Sequence, residues 1–220
     1  MKARGLVYLH GFASSPRSSK ARYFADRAAE AGLAFVCPDL NQPDFHSLTV
    51  TRMLDQADAA IDSLEAPVGL VGSSLGAFVA LHTAARRMRR GDTRIGSLVF
   101  LAPAFDLVAS LDREFGPERM RQWEQSDRHE VFHYGDAVAR DLGWAFMADA
   151  RKYDAFAVDV PVPTLIFQGT RDDVVAPEAV RRWAAGRPSV TLSMVDDSHQ
   201  LLDHLAVIWR GTASLFENEP

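Results

Sequence analysis

Cysteine is almost missing from this chain: Cys37 is the only one among 220 residues. An intrachain disulfide is therefore excluded, and the usage suits a reducing compartment. Basic charge is not in excess either. The 24 Lys and Arg stand against 29 Asp and Glu, a net charge of −5, so nothing drives binding to nucleic acid. No apolar run reaches the ~18 residues that suggest a membrane span. The first residues, Met1-Lys2-Ala3-Arg4-Gly5, pass directly into a strand-like run, with no apolar segment of signal-peptide length. A cytoplasmic protein without a membrane span is expected. Repeats, low-complexity tracts and Pro/Gly-rich linkers are missing as well. No His-x-x-x-His or Glu-x-x-His pair stands on a helix candidate, so neither metal nor cofactor is expected.

What the chain has is a regular alternation. Short apolar runs at 6–9, 34–37, 68–71, 97–101, 164–168 and 190–195 read as strands. Segments 19–31, 50–64, 75–90, 177–185 and 203–216 read as helices. Each strand–helix–strand passage implies a crossover between parallel strands. The expectation is one α/β domain over residues 1–220, a mostly parallel sheet of six strands flanked by helices. Ligands in such sheets bind outside the carboxyl ends of the strands. One stretch, 104–159, breaks the alternation and offers no convincing strand. It is charged and aromatic, and Val138, Leu142 and Phe146 recur at spacing four, as on an amphipathic helix. It reads as a helical insertion, either a cap over the site or a second helical layer on the core. The aromatic content beside a strand's carboxyl end favours the cap.

Gly72-Ser73-Ser74-Leu75-Gly76 lies between a strand candidate and a helix candidate. Gly-x-Ser-x-Gly in that setting is the nucleophile elbow of a serine hydrolase. The Ser must sit on a sharp, strained turn, and the flanking glycines remove Cβ atoms that would clash. A Gly/Ser-rich turn of no chemical consequence has the same composition. A serine nucleophile also needs a base, an orienter and oxyanion donors, and in α/β hydrolases the chain order is Ser, acid, His. The acid is sought in the loop after 164–168, where Asp172 is favoured and Asp173 better suits capping of the helix beginning near Pro177. The base is His199, in the loop after 190–195. His204, its rival, falls in a helical stretch. His46, His82, His129 and His133 read as surface or cap residues. The backbone N–H groups of Leu75 and of Phe12, in the loop Leu9-His10-Gly11-Phe12, are the expected oxyanion donors, with His10 bracing the loop. The cluster Arg86, Arg87, Arg89 and Arg90 either meets an anionic partner or closes a helix stopping at Gly91, where positive charge complements the dipole; the second reading is preferred.

The run from Tyr8 to Ala21, with His10-Gly11-Phe12-Ala13-Ser14-Ser15-Pro16, resembles the N-terminal signature of the small bacterial YqiA-type esterases of the α/β-hydrolase superfamily. The elbow at Val71–Gly76, the acid segment Gly169-Thr170-Arg171-Asp172-Asp173 and Ser198-His199 are similar to that superfamily's corresponding segments. The acid loop also resembles that of acyl-protein thioesterases. The superfamily usually places two strands before the His-Gly loop, so a sheet trimmed to about six strands is implied here.

The expected activity is hydrolysis of a small-molecule carboxylic ester or thioester through an acyl-enzyme. Ser15 and Arg17, near the oxyanion loop, are candidates for binding a polar substrate end. Trp144 and Phe146, in the aromatic insertion, are candidates for the acyl side. Other reactions of the same triad remain open at this point: amide or peptide hydrolysis, or perhydrolysis. So does a non-catalytic binding protein of the same fold. A nucleotide-binding domain would need a Gly-rich phosphate loop after the first strand, and His10-Gly11-Phe12 is not one. No feature of the sequence sets an oligomeric state.

Overall fold

The computed structural model describes residues 3–217. Six parallel strands form the central sheet: β1 (Gly5–Leu9), β2 (Ala34–Val36), β3 (Val68–Ser73), β4 (Ile95–Leu101), β7 (Thr164–Gly169) and β8 (Val190–Val195), in the order β2-β1-β3-β4-β7-β8. The trimmed six-strand sheet expected from sequence is thus present. A separate antiparallel hairpin pairs β5 (His129–His133) with β6 (Val138–Leu142).

The strands are apolar on both faces because helices cover both. Side chains alternate along each strand, so the two faces separate cleanly. Leu6 and Tyr8 of β1, Val71 of β3, and Val99 and Leu101 of β4 pack with Phe24 of α1 (Ser19–Glu30) and with Ile208 and Phe216 of α7 (Leu205–Glu217). Val7, Leu9, Leu70, Leu98 and Phe100 face the opposite core. There they meet α2 (Val50–Asp62), α3 (Leu75–Met88) and α6 (Pro177–Ala184). Helix α2 buries Val50, Met53, Leu54, Ala57, Ala60 and Ile61, a single helical stripe. Helix α3 is buried nearly all round, which makes it the central helix of that layer.

Helix starts follow capping chemistry. Ser18 caps α1 by accepting the Ala21 N–H (3.3 Å), and Thr49 caps α2 by accepting the Arg52 N–H (3.2 Å). The arginine cluster at the end of α3 fastens it to α2. Arg86 reaches Asp55 (2.8 Å) and Asp58 (2.6 Å). Arg87 reaches Asp58 (3.0 Å), Asp62 (2.5 Å) and Asp92 (2.6 Å). Pairing with α2, and with Asp92 just past α3, therefore explains Arg86 and Arg87 more fully than a helix dipole does.

Because α1 and α2 lie on opposite faces, the chain changes direction between β1 and β3. That switch point opens a crevice at their carboxyl ends. The register, Leu9 opposite Gly72, sets the His-Gly loop beside the elbow. On the other side, Gly169 opposite Val195 brings the loops carrying Asp172 and His199 together.

The stretch 104–159 departs from the expected purely helical insertion. It contains α4 (Leu107–Ser126), interrupted at Gly116 (φ +68°) ahead of Pro117, then the β5–β6 hairpin, α5 (Ala145–Ala150) and a 3₁₀ turn at Ala155–Ala157. Val138 and Leu142 are the ends of β6, not a helix stripe, and only Phe146 is helical. Spacing four is even, so it fits one face of a strand as well as one face of a helix. His129 and His133, also four apart, lie at the two ends of β5, about 13 Å apart at strand rise, which is too far to share a metal. His82 is buried on α3 rather than on the surface, its ring edge-on to Phe78 (4.5 Å).

Candidate active site

Ser74 sits at φ +53°, ψ −116°, a strained backbone conformation for a residue with a side chain. The turn is held by its neighbours. The Ser74 N–H donates to Leu101 O (2.8 Å), and Ser74 O accepts from Ala77 N–H (3.0 Å). A Cβ on Gly72 would lie 2.4 Å from Gly76 O, and one on Gly76 would lie 2.1 Å from Leu9 O. Only glycine fits at either place. Leu75 is the first residue of α3, so its N–H has no intrahelical acceptor. The loop after β1 closes in from the other side, since a Cβ on Gly11 would stand 3.4 Å from Ser74 Cβ. Phe12, next along, lines the same cavity as Ser74 and Leu75. His10 braces this loop as expected: its Nε2 accepts the Leu40 N–H (3.0 Å), and its Nδ1 is 2.9 Å from Gly11 O.

His199 Nε2 lies 3.2 Å from Ser74 Oγ. On its far side, Nδ1 is 2.9 Å from Asp172 Oδ2 and 3.1 Å from Oδ1. The Asp172 carboxylate is fully buried. It accepts from the backbone N–H groups of Val174 (3.0 Å) and Val175 (2.8 Å) and from Gln168 Nε2 (2.8 Å). Burial alone would raise its pKa. The hydrogen bonds from His199, Val175 and Gln168 outweigh that and hold the carboxyl below the usual carboxylate range. The acid is thus ionised and aimed at one imidazole nitrogen.

Asp173 is exposed and does not cap α6, whose N-cap is Ala176 with no side-chain bond. His204 turns away from Ser74 and pairs with Asp197 (3.0 Å). Asp197 also accepts the Ser198 and Asp203 N–H groups, so this pair ties down the loop that carries His199. Gln168 escaped the sequence reading. It is the next-to-last residue of β7, wholly buried, and the one polar side chain of that strand aimed at Asp172. A glutamine inside an otherwise apolar strand just before the acid loop was its only signal. Lys20 lies in the same neighbourhood. Buried at the start of α1, it has its pKa lowered to about 8 by burial, against the pull of Asp172 and Asp197.

A cavity of about 450 Å³ opens at Ser74. The strand ends supply Phe12, Ala13 and Val175, and α4 supplies Leu107, Leu111 and Phe115. The hairpin adds Val131 and Phe132. Phe146 lines it too, its ring 5.6 Å from that of Phe12. Trp144 does not line it; it packs edge-on behind Trp123 at 5.3 Å. Ser15 and Arg17 are also elsewhere, in the wall of a second cavity. Neighbourhood along a loop did not tell on which side of it a side chain falls.

Comparison with known proteins fits this architecture. A protein of Agrobacterium vitis S4 assigned as a hydrolase superposes with a TM-score of 0.86 at 24% identity, over 96% of this chain and 87% of that one. Mouse α/β hydrolase domain-containing protein 10 gives 0.80 at 19% identity, over 98% and 90%. Est1E of Butyrivibrio proteoclasticus gives 0.76 at 19%, over 99% and 88%. The fold is that of the α/β hydrolases. Among curated proteins, the human mitochondrial palmitoyl-protein thioesterase ABHD10 is 24% identical over 183 residues, 79% of this chain. The chain spans 58% of the length of that relative. Among the described residues, no helix is long and apolar enough to cross a membrane. A family model matches residues 5–211, and the chain belongs to the uncharacterised protein family UPF0227, the YqiA-like group of α/β hydrolases that its elbow and N-terminal loop resemble.

Proposed function

We propose that this chain is a serine hydrolase acting on carboxylic esters or thioesters. The observation that carries the reading is the 3.2 Å approach of His199 Nε2 to Ser74 Oγ, with a buried, ionised Asp172 on the opposite nitrogen. Asp172 keeps the His199 proton on Nδ1, so Nε2 is free to take the Ser74 hydroxyl proton. Ser74 Oγ then attacks the carbonyl carbon, and the charge that gathers on the carbonyl oxygen is held by the Leu75 and Phe12 N–H groups. His199 returns its proton to the departing alcohol or thiol. Water, deprotonated by His199, releases the acid and restores Ser74.

The segment 104–159 acts as a cap whose apolar side chains take the acyl part of the substrate. The relatives' name as palmitoyl-protein thioesterases makes acyl thioesters a substrate class to test beside simple esters. A single cysteine, half-buried and unpaired, suits action in the cytoplasm.

The test is a fluorophosphonate probe followed by p-nitrophenyl esters and acyl-CoA of graded chain length. Wild type should label and turn over. Ser74→Ala should lose labelling and on the order of 10⁵-fold in kcat. Asp172→Asn should lose on the order of 10⁴-fold, whereas Asp173→Asn should stay within about twofold, since Asp173 lies on the surface. An unlabelled wild type would rule out the hydrolase reading, and equal loss in both Asn variants would rule out the assignment of the acid.

A further inference from the structure

The loop that carries the Phe12 N–H turns sharply. Ser14 N–H donates to Gly11 O (3.3 Å) and closes a turn whose third residue, Ala13, sits at φ +52°, a conformation that favours glycine. No group among the described residues accepts the Phe12 N–H. The bonds that brace the loop lie to either side of that donor. Leu40 N–H donates to His10 Nε2 (3.0 Å) before it, and Gly135 N–H donates to Ala13 O (3.2 Å) after it. Phe12 itself is held by its ring.

That ring meets two others. Phe146, from α5, has its ring centre 5.6 Å away, and Phe45, from the loop after β2, also stands at 5.6 Å. Both distances are those of interacting aromatic pairs. Phe45 is 5% exposed, and its ring in turn meets that of His133 of β5 edge-on at 5.0 Å. It is therefore wedged between the loop of Phe12 and the hairpin. Its own loop is fastened to α2. Asp44 accepts the N–H (2.8 Å) and hydroxyl (2.6 Å) of Ser47, and Arg52 of α2 donates to Ser47 O (2.8 Å) and Asp44 O (2.8 Å).

The two supports of Phe12 differ in one respect. Phe146 lines the cavity at Ser74, whereas Phe45 lines only the second cavity. Truncating Phe146 would change the acyl wall and the support together. Truncating Phe45 changes the support alone. The N–H and the Cβ of Phe12 hang from one Cα atom, so a ring pinned in place also fixes where the N–H points.

We infer that Phe45 is a positioning residue for the oxyanion hole: its ring holds that of Phe12 and so aims the Phe12 N–H at the carbonyl oxygen. The inference rests on the serine hydrolase reading of Ser74. Small displacements of a positioned group are expensive in rate, which is why a residue outside the cavity can matter to the chemistry.

Hydrolysis of p-nitrophenyl acetate and octanoate, with inhibition by an alkyl trifluoromethyl ketone, tests it on wild type, Phe45→Leu and Phe45→Ala. Ser74 Oγ adds to the ketone carbon as His199 takes its proton, and the ketone oxygen becomes an oxyanion. Affinity for the ketone therefore reads the same donors as the transition state. Phe45→Ala should lower kcat for both esters about tenfold to a hundredfold, within what one oxyanion donor contributes. The inhibition constant of the ketone should rise by the same factor, while KM stays within about twofold of wild type. The octanoate-to-acetate ratio should not move, because Phe45 lies outside the acyl wall. Phe45→Leu keeps bulk and loses the ring, so its losses should be smaller, about threefold to tenfold, and in the same proportion. If Phe45→Ala does not fold, as judged by circular dichroism, Phe45→Leu reads the same two quantities. Folded variants whose kcat and ketone affinity both stay within about twofold of wild type overturn the inference. So does a fall in kcat without a matching loss of ketone affinity, or a changed ester ratio. A wild type inert to both esters and to the ketone refutes the hydrolase reading itself, and this inference with it.

Discussion

At Asp172 the side chain is governed by counted donors. Burial opposes its charge, and His199, two backbone N–H groups and Gln168 restore it. Gln168 does not line the cavity at Ser74, and its side chain donates to Asp172, so its influence on chemistry would pass through the acid. Gln168→Leu removes one donor to a buried carboxylate, a loss of roughly 1.5–3 kcal/mol. The sign with pH follows from the depressed pKa of the folded state. Stabilisation from Asp172 is fully present above the ordinary carboxylate value near ~3.9 and is lost as pH falls through it toward the depressed one. The variant should therefore melt lower than wild type at neutral pH, and the gap should narrow as the pH approaches ~3. Its kcat should fall about tenfold, with KM unchanged, because Asp172 then holds the His199 ring less firmly. Melting curves across pH and steady-state kinetics check both halves. A gap that stays constant with pH would mean that Gln168 matters only through packing.

Among the elements, the β3–α3 turn is the most constrained. Gly76 passes Leu9 O so closely that a Cβ there would meet backbone rather than a movable side chain. Gly76→Ala should cost more than ~3 kcal/mol or prevent folding, read by urea denaturation; a midpoint near that of wild type would mean that β1 and α3 can separate freely. The elbow was legible in sequence for the same reason: its glycines are demanded by close approach, and sterics leave few substitutes. The sheet strands were equally legible, because two-sided burial writes continuous apolar runs, and the acid and base loops follow two of them directly. The hairpin was not. His129–His133 and Val138–Leu142 set apolar residues side by side (Val131-Phe132, Val138-Ala139) and expose apolar and polar side chains alike, so no apolar alternation marks them. Gly135-Asp136 between them was the available turn signal. Trp144, Ser15 and Arg17 were placed by nearness along the chain, and side-chain direction, which decides their cavity, is set by tertiary packing.

In the whole molecule, on the proposed reading, the sheet fixes how the chain reacts and the segment 104–159 sets what reaches Ser74. The polar machinery comes from the carboxyl ends of β1, β3, β7 and β8. The apolar wall comes largely from α4 and the hairpin. These two sources can be perturbed independently. Leu111 lines the cavity from α4, is half-buried, and makes no contribution to the Ser74, His199 and Asp172 hydrogen bonds. Leu111→Trp puts a larger ring into that space without disturbing the elbow. A short acyl group should still fit, whereas a longer one must give up burial worth ~1–3 kcal/mol per methylene in an apolar pocket. The kcat/KM for p-nitrophenyl octanoate should therefore drop at least about tenfold relative to that for p-nitrophenyl acetate. The ratio of the two esters is the quantity to measure, because a general loss of folded protein lowers both alike and leaves it unchanged. An unchanged ratio, with folded protein verified by circular dichroism, would place the acyl chain outside this cavity and remove the segment from any role in selecting substrate.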